Sequence, residues 1–179
     1  MTGSPIVPRL ARGERLLWSG RPRQGIVFTP SDVLMIPFSL LWGGFAFFWE
    51  TMVILSDAPI FFRLWGVPFV LVGSYIIAGR FFHDAWVRAH SWYAVTDRRV
   101  LILRTGPLGE LTALDIRSLP DLQLRLGWSG RGTILFAEAW QNRPWDRHAS
   151  WGPASSRTPQ FTMIRDAERV FDLITAESG

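Results

Sequence analysis

The sequence predicts a membrane protein of the α+β class: a transmembrane helical hairpin, then a small antiparallel β barrel or sandwich capped by a C-terminal helix. Three observations carry that expectation. Two long uncharged apolar runs lie between Val33 and Gly79. Short extended runs separated by turn residues begin at Ser91. The last apolar positions, Ala167, Val170, Phe171 and Ile174, recur with helical spacing.

The first run, Val33 to Trp49, contains no ionisable residue, and beyond Glu50 the chain stays apolar through Met52, Val53, Ile54 and Leu55. About 17 residues is the lower limit for crossing a hydrocarbon core of about 30 Å, with Glu50 at headgroup level. Thr29-Pro30-Ser31-Asp32 supplies capping side chains ahead of the run, and Pro37 falls near its first turn. The second run, Leu64 to Gly79, is lengthened by Phe61 and Phe62 before it and by Phe81 and Phe82 after it. Arg63 and Arg80 stand at its ends, where a guanidinium reaches the interface, and Trp49, Trp65 and Trp86 fit an aromatic belt. The spans are therefore placed at about 33–55 and 61–82 within a hairpin of residues 31–88. Gly43, Gly44 and Ala46 are expected to face Gly66, Gly73, Ser74 and Ala78, because small residues let helix backbones approach closely in lipid.

Composition agrees: 48% of residues are hydrophobic, 19% are charged, and the mean hydropathy is +0.14. No apolar run opens the chain, so a cleavable signal peptide is not expected and the first span serves as its own insertion signal. Cysteine is absent, which excludes disulfides, a thiol nucleophile and cysteine-ligated metal. The net charge is +4 and every basic residue is arginine. Nucleic-acid binding would need those arginines on one face. Instead Arg9, Arg12, Arg15, Arg21 and Arg23 precede the first span, and Arg80, Arg88, Arg98 and Arg99 follow the second. The connecting segment holds only Arg63, against Glu50 and Asp57. Positive residues are retained inside, so both termini are expected in the cytoplasm, with residues 1–30 as a cytoplasmic N-terminal segment and residues 51–62 outside.

Residues 89–179 read as the second domain. Trp92 to Thr96 and Val100 to Leu103 flank Asp97-Arg98-Arg99 as a hairpin, and Thr105 to Gly109 is a second turn. Leu111 to Ile116 follows. Leu122, Leu124 and Leu126 then alternate with Asp121, Gln123 and Arg125, the period of a half-buried strand. Thr133 to Ala137 and Phe161 to Ile164 complete the strands, and Asp166 is positioned to cap the terminal helix, with Phe171 and Ile174 as its anchors.

Three segments carry a resemblance. They are Tyr93-Ala94-Val95-Thr96-Asp97-Arg98-Arg99-Val100-Leu101, the ending from Phe161 and Ile164 through Asp166-Ala167 to Val170-Phe171 and Leu173-Ile174, and Gly13-Glu14-Arg15-Leu16-Leu17-Trp18-Ser19-Gly20-Arg21-Pro22. With these the chain resembles a family of bacterial membrane proteins that carry a pleckstrin-homology-like (PH) domain directly after a helical hairpin. The resemblance implies a bent antiparallel sheet capped by the C-terminal helix, a place in the inner membrane, and no catalytic residues.

Candidate chemistry is sparse. His83, Asp84 and His90 match no standard ligand spacing, and no metal is expected there. Asp146, Arg147, His148 and Ser150 contain hydrolytic residue types but lie too close in sequence for a triad, and no nucleophile elbow accompanies them. Glycine-rich phosphate loops are missing. The stretch from Trp140 to Pro159 is the candidate interface: Trp140, Arg143, Trp145, Arg147 and Trp151 suit headgroup level, where indoles partition and guanidiniums meet lipid phosphate. Two other readings of that stretch stand beside it, a cover over an open end of the barrel and a loop without fixed docking. The expected function is a non-enzymatic, membrane-anchored interaction module at the cytoplasmic face. Its partners are the lipid bilayer and a lipid headgroup, a protein or a second copy of the chain, with no nucleic acid and no cofactor. The alternative is an accessory subunit of a membrane enzyme complex whose partner supplies the catalysis.

Overall fold

The first apolar run folds as helix α1 (Asp32–Leu55), and the second as helix α2 (Ile60–Ser74), which passes through a π-helical turn, Tyr75–Gly79, into helix α3 (Arg80–Ala89). The structure, a computed structural model, describes residues 5–29, 31–106, 109–119, 122–127, 130–136 and 159–178. Two compact units emerge, one formed by Ile26–His83 and the other by Met1–Gly25 together with Asp84–Gly179. The units cut across the limits expected at residues 30 and 88, because the N-terminal segment folds with the β strands.

Within the helical unit, α1 and α2 pack as a hairpin around Gly43, Ala46, Gly66 and Gly73, all buried. A Cβ on Gly73 would stand 3.0 Å from the Gly43 Cα, so the two backbones touch where only glycine fits. Gly44 has open space around it, and Ser74 and Ala78 are exposed, so these three lie outside the helix–helix contact. The expected cap also differs. Ser31 makes no side-chain cap; instead the Asp32 carboxylate accepts from the Thr29 N–H at 2.6 Å and the Thr29 hydroxyl at 2.8 Å. Asp32 then pairs with buried Arg80 at 2.8 Å, and Arg63 pairs with Asp57 at 3.0 Å beside the α1–α2 turn. Both candidate spans, Asp32–Leu55 and Ile60–Ala89, are long and apolar enough to cross a membrane, and Leu34, Leu41, Leu55, Ile60 and Leu71 point outward, unburied.

The other unit is α+β. Strands β1 (Leu16–Gly20), β2 (Ser91–Thr96), β3 (Arg99–Arg104) and β4 (Glu110–Asp115) form one antiparallel sheet in that order. Strands β5 (Gln123–Leu126), β6 (Arg131–Leu135) and β7 (Gln160–Arg165) form a second, and helix α4 (Ala167–Ser178) ends the chain. The sheets share one core: Tyr93, Val95, Val100 and Ile102 from the first, Ile134, Phe161 and Ile164 from the second, and Val170 and Ile174 from α4. Among the described residues no ladder joins β4 to β5 or β1 to β7, so of the two expected forms, barrel and sandwich, the closed barrel is not formed; two sheets contribute to a common core. Ile174 is fully buried, while Phe171 packs at the edge of this core. Leu126, expected inside, is 60% exposed because it ends an edge strand beyond the core that Leu122 and Leu124 reach.

Strand β1 is the element the sequence reading lacks. It pairs with β2 from Leu16 opposite Thr96 to Gly20 opposite Tyr93. Ile6 and Leu10 ahead of it, with Leu16 at its start, cover the outer face of β2 and β3 through Ala94, Leu101 and Leu103. The segment is fastened by Glu14. Its Oε1 accepts from Arg99 Nε and Thr96 Oγ1, both at 2.8 Å, and its Oε2 accepts from the Ala11 N–H at 2.6 Å and Arg99 Nη2 at 2.9 Å. Two of the segments that carry the family resemblance thus meet at the β2–β3 turn, where the Arg15 N–H also donates to Asp97 at 3.0 Å.

Candidate anion-binding site

The residues expected at a lipid interface, Trp140, Arg143, Trp145, Arg147 and Trp151, lie outside the described residues, as do Asp146, His148 and Ser150. Of the other singled-out side chains, His83 Nδ1 bonds the Tyr75 hydroxyl at 2.9 Å across the π-helical turn. Asp84 accepts from Arg88, and His90 Nδ1 lies 2.8 Å from the Trp86 carbonyl. Among the described residues no group of three or more acidic or imidazole side chains is disposed to hold a metal ion.

What the fold assembles instead is a cluster of arginines. In the α+β unit a concavity of about 560 Å³ is lined by Trp18 to Gln24 from the N-terminal arm, by Arg131 of β6 and by Arg165 and Asp166 at the end of β7. Arg21, Arg23, Arg131 and Arg165 all border it. Trp18 forms one wall, its ring tilted against Phe161 at 5.7 Å and occupying the space that a Cβ on Gly20 would need.

Three local devices set these side chains. The first is a buried clasp. Arg88, 0% exposed, donates Nε to Asp84 at 2.8 Å, Nη1 to the Arg23 carbonyl at 2.6 Å and Nη2 to the Gly25 carbonyl at 2.8 Å. A buried guanidinium with its donors so used can hold a turn of backbone in place. Gly25 takes a φ of 84°, a left-handed turn suited to glycine. The second is Arg21, whose guanidinium stacks over Trp92 at 4.3 Å and donates to the Ala89 carbonyl. The third is a bulge between β6 and β7, where the register slips between Gly132 and Ile134. Met163 and Asp166 on either side of Arg165 hold φ of 47° and 54°, strained for residues with side chains. The Thr133 hydroxyl accepts the Met163 N–H at 3.2 Å, and Arg131 Nη1 donates to the Met163 carbonyl at 3.4 Å. Asp166 begins α4 through its carbonyl, which accepts the Val170 N–H at 3.0 Å, and among the described residues its carboxylate makes no cap.

The register places Arg131 directly opposite Arg165. No carboxylate of a described residue ion-pairs with Arg23, Arg131 or Arg165, although Asp166 stands at the rim. Burial, helped by the positive charges of Arg165 and Arg23, pushes the Arg131 pKa below the usual arginine value. Sequence reasoning assigned Arg21 and Arg23 to the charge bias flanking a span; register pairs Arg131 with Arg165, and the tertiary fold brings the arm after β1 to the same concavity. Comparison of the chain with protein families, with curated proteins and with solved structures finds no match.

Proposed function

We propose that this chain is a membrane-anchored interaction module without chemistry of its own. The helical hairpin crosses the bilayer twice, both termini lie in the cytoplasm, and the α+β unit is a pleckstrin-homology-like domain presented at the inner face of a bacterial membrane. The observation that supports this best is the outward surface of α1 and α2, where Leu34, Leu41, Leu55, Ile60 and Leu71 are each at least 65% exposed. Side chains of that kind along two helices of spanning length are costly in water and stable in lipid. The arginine excess before Asp32 and after Gly79 supports the orientation.

A reporter active only outside the cytoplasm tests the reading. Fused after Gly179 it is expected to be silent, and inserted at Asp57 it is expected to be active. Activity at the C-terminus with silence at Asp57 would reverse the orientation, and silence at both positions would remove the hairpin from the membrane.

A further inference from the structure

We propose that the concavity lined by Arg21, Arg23, Arg131 and Arg165 is a binding site for a phosphate-bearing anion. The inference goes beyond the anchoring role and does not depend on it, because all of its residues belong to the α+β unit.

The first argument is register. Like charges directly opposite on neighbouring antiparallel strands destabilise a sheet, and here Arg131 and Arg165 occupy such a pair with Arg23 beside the same concavity. Three arginines elsewhere in this unit have acidic partners: Arg99 has Glu14, Arg88 has Asp84 and Arg15 has Asp97. Among the described residues no carboxylate does the same for the cluster at β6 and β7, and an anion brought from outside would supply it.

The second argument is shape and preparation. A space of about 560 Å³ falls within the roughly 300–1,000 Å³ of small-ligand sites. Its backbone arm is fixed before any ligand arrives, by the Arg88 clasp, by Arg21 over Trp92 and by Gln24 Nε2 donating to the Pro22 and Arg88 carbonyls at 2.8 and 3.1 Å. Strain at Met163 and Asp166 is held on both sides of Arg165, the kind of local cost that collects where a side chain must be aimed. Guanidinium forks engage phosphate oxygens in pairs of parallel hydrogen bonds, and several converging guanidiniums match a dianion better than a single carboxylate. A lipid headgroup and a soluble phosphate both satisfy this chemistry.

The full chain in phosphatidylcholine nanodiscs provides the test, with the thermal midpoint followed during titration with inorganic pyrophosphate and with sodium chloride at matched ionic strength. The expected result is a saturable rise with pyrophosphate and none with chloride. Arg131→Gln, Arg165→Gln and Arg23→Gln should each lose the rise, while Arg117→Gln, which does not line the concavity, should keep it. Calorimetric titration of pyrophosphate gives the same comparison should a variant shift its own midpoint. Nanodiscs containing phosphatidic acid form the second arm. A rise there without pyrophosphate, lost in Arg131→Gln, assigns the site to a lipid headgroup, and a rise with pyrophosphate alone assigns it to a soluble phosphate. Chloride matching pyrophosphate, no rise in either arm, or a rise retained in Arg131→Gln and Arg165→Gln would overturn the proposal.

Discussion

At the β2–β3 turn Arg99 gives both Nε and Nη2 to the Glu14 carboxylate, and that hydrogen bonding raises its pKa; at the end of β6 and β7 Arg131 faces Arg165 across the ladder, and burial with positive neighbours lowers its pKa. Both are strand-end arginines of the same unit. The difference lies in what was placed opposite them. Around Arg99 the Glu14 carboxylate answers the guanidinium, and the arrangement ties a distant N-terminal segment to the sheet. Around Arg131 the fold gathers cations and leaves them to a ligand. The paired charge at Arg99 serves the architecture, and the facing cations at Arg131 and Arg165 mark the proposed site.

Breaking the architectural side should cost most at Arg88. Removing one partner of a buried ion pair leaves the other uncompensated, at about 3–5 kcal/mol. Arg88→Met removes the buried ion pair with Asp84 and releases the Arg23 and Gly25 carbonyls, so the denaturation midpoint of the full chain should fall steeply. Pyrophosphate binding should weaken with it, because the arm bearing Arg21 and Arg23 loses its clasp. An unchanged midpoint would mean that the clasp holds nothing.

Acid offers a gentler break at the same turn. Hydrogen bonding from Arg99, the Ala11 N–H and Thr96 outweighs the effect of burial and holds the Glu14 carboxyl at about 2, against an ordinary 4.5. A carboxyl depressed on folding contributes stability that is fully present above its unfolded pKa and is lost as pH falls through the folded one. The contribution, about 3 kcal/mol at most, should therefore disappear between about pH 4.5 and 2. Glu14→Gln should flatten that part of the stability profile. A wild-type profile already flat across this window would contradict the assignment.

These contrasts also explain what the sequence could and could not reveal. The helices were legible because an uncharged run of spanning length needs no knowledge of the rest of the chain, and the β2–β3 hairpin because Asp97 and Arg98 mark its turn locally. Helix α4 was legible from the spacing of Ala167, Val170, Phe171 and Ile174. Strand β1 was hidden, since Leu16-Leu17-Trp18 gains its identity only by pairing far along the chain with β2. A signal was present in Val100-Leu101-Ile102-Leu103, four consecutive apolar residues that imply burial on both faces of β3 and hence a covering segment. Barrel and sandwich both stayed open in the sequence because alternation such as Leu122, Leu124 and Leu126 reports a face and says nothing of which strand lies alongside. The arginine cluster was invisible for the same reason: its members belong to three segments, and only strand register together with the tertiary fold brings them to one concavity.

The sign of two substitutions tests the contrast most directly. Thermal midpoints of the full chain should be measured in detergent without any phosphate, for Arg99→Gln and for Arg165→Gln beside the wild type. Arg99→Gln leaves Glu14, which is 8% exposed, without its cation and should lower the midpoint. Arg165→Gln relieves a cross-strand repulsion worth about 0.2–1 kcal/mol and should raise it. Opposite signs are the predicted result. A fall in both, of similar size, would show that Arg165 is as structurally engaged as Arg99, and the division between paired and reserved charge would be contradicted.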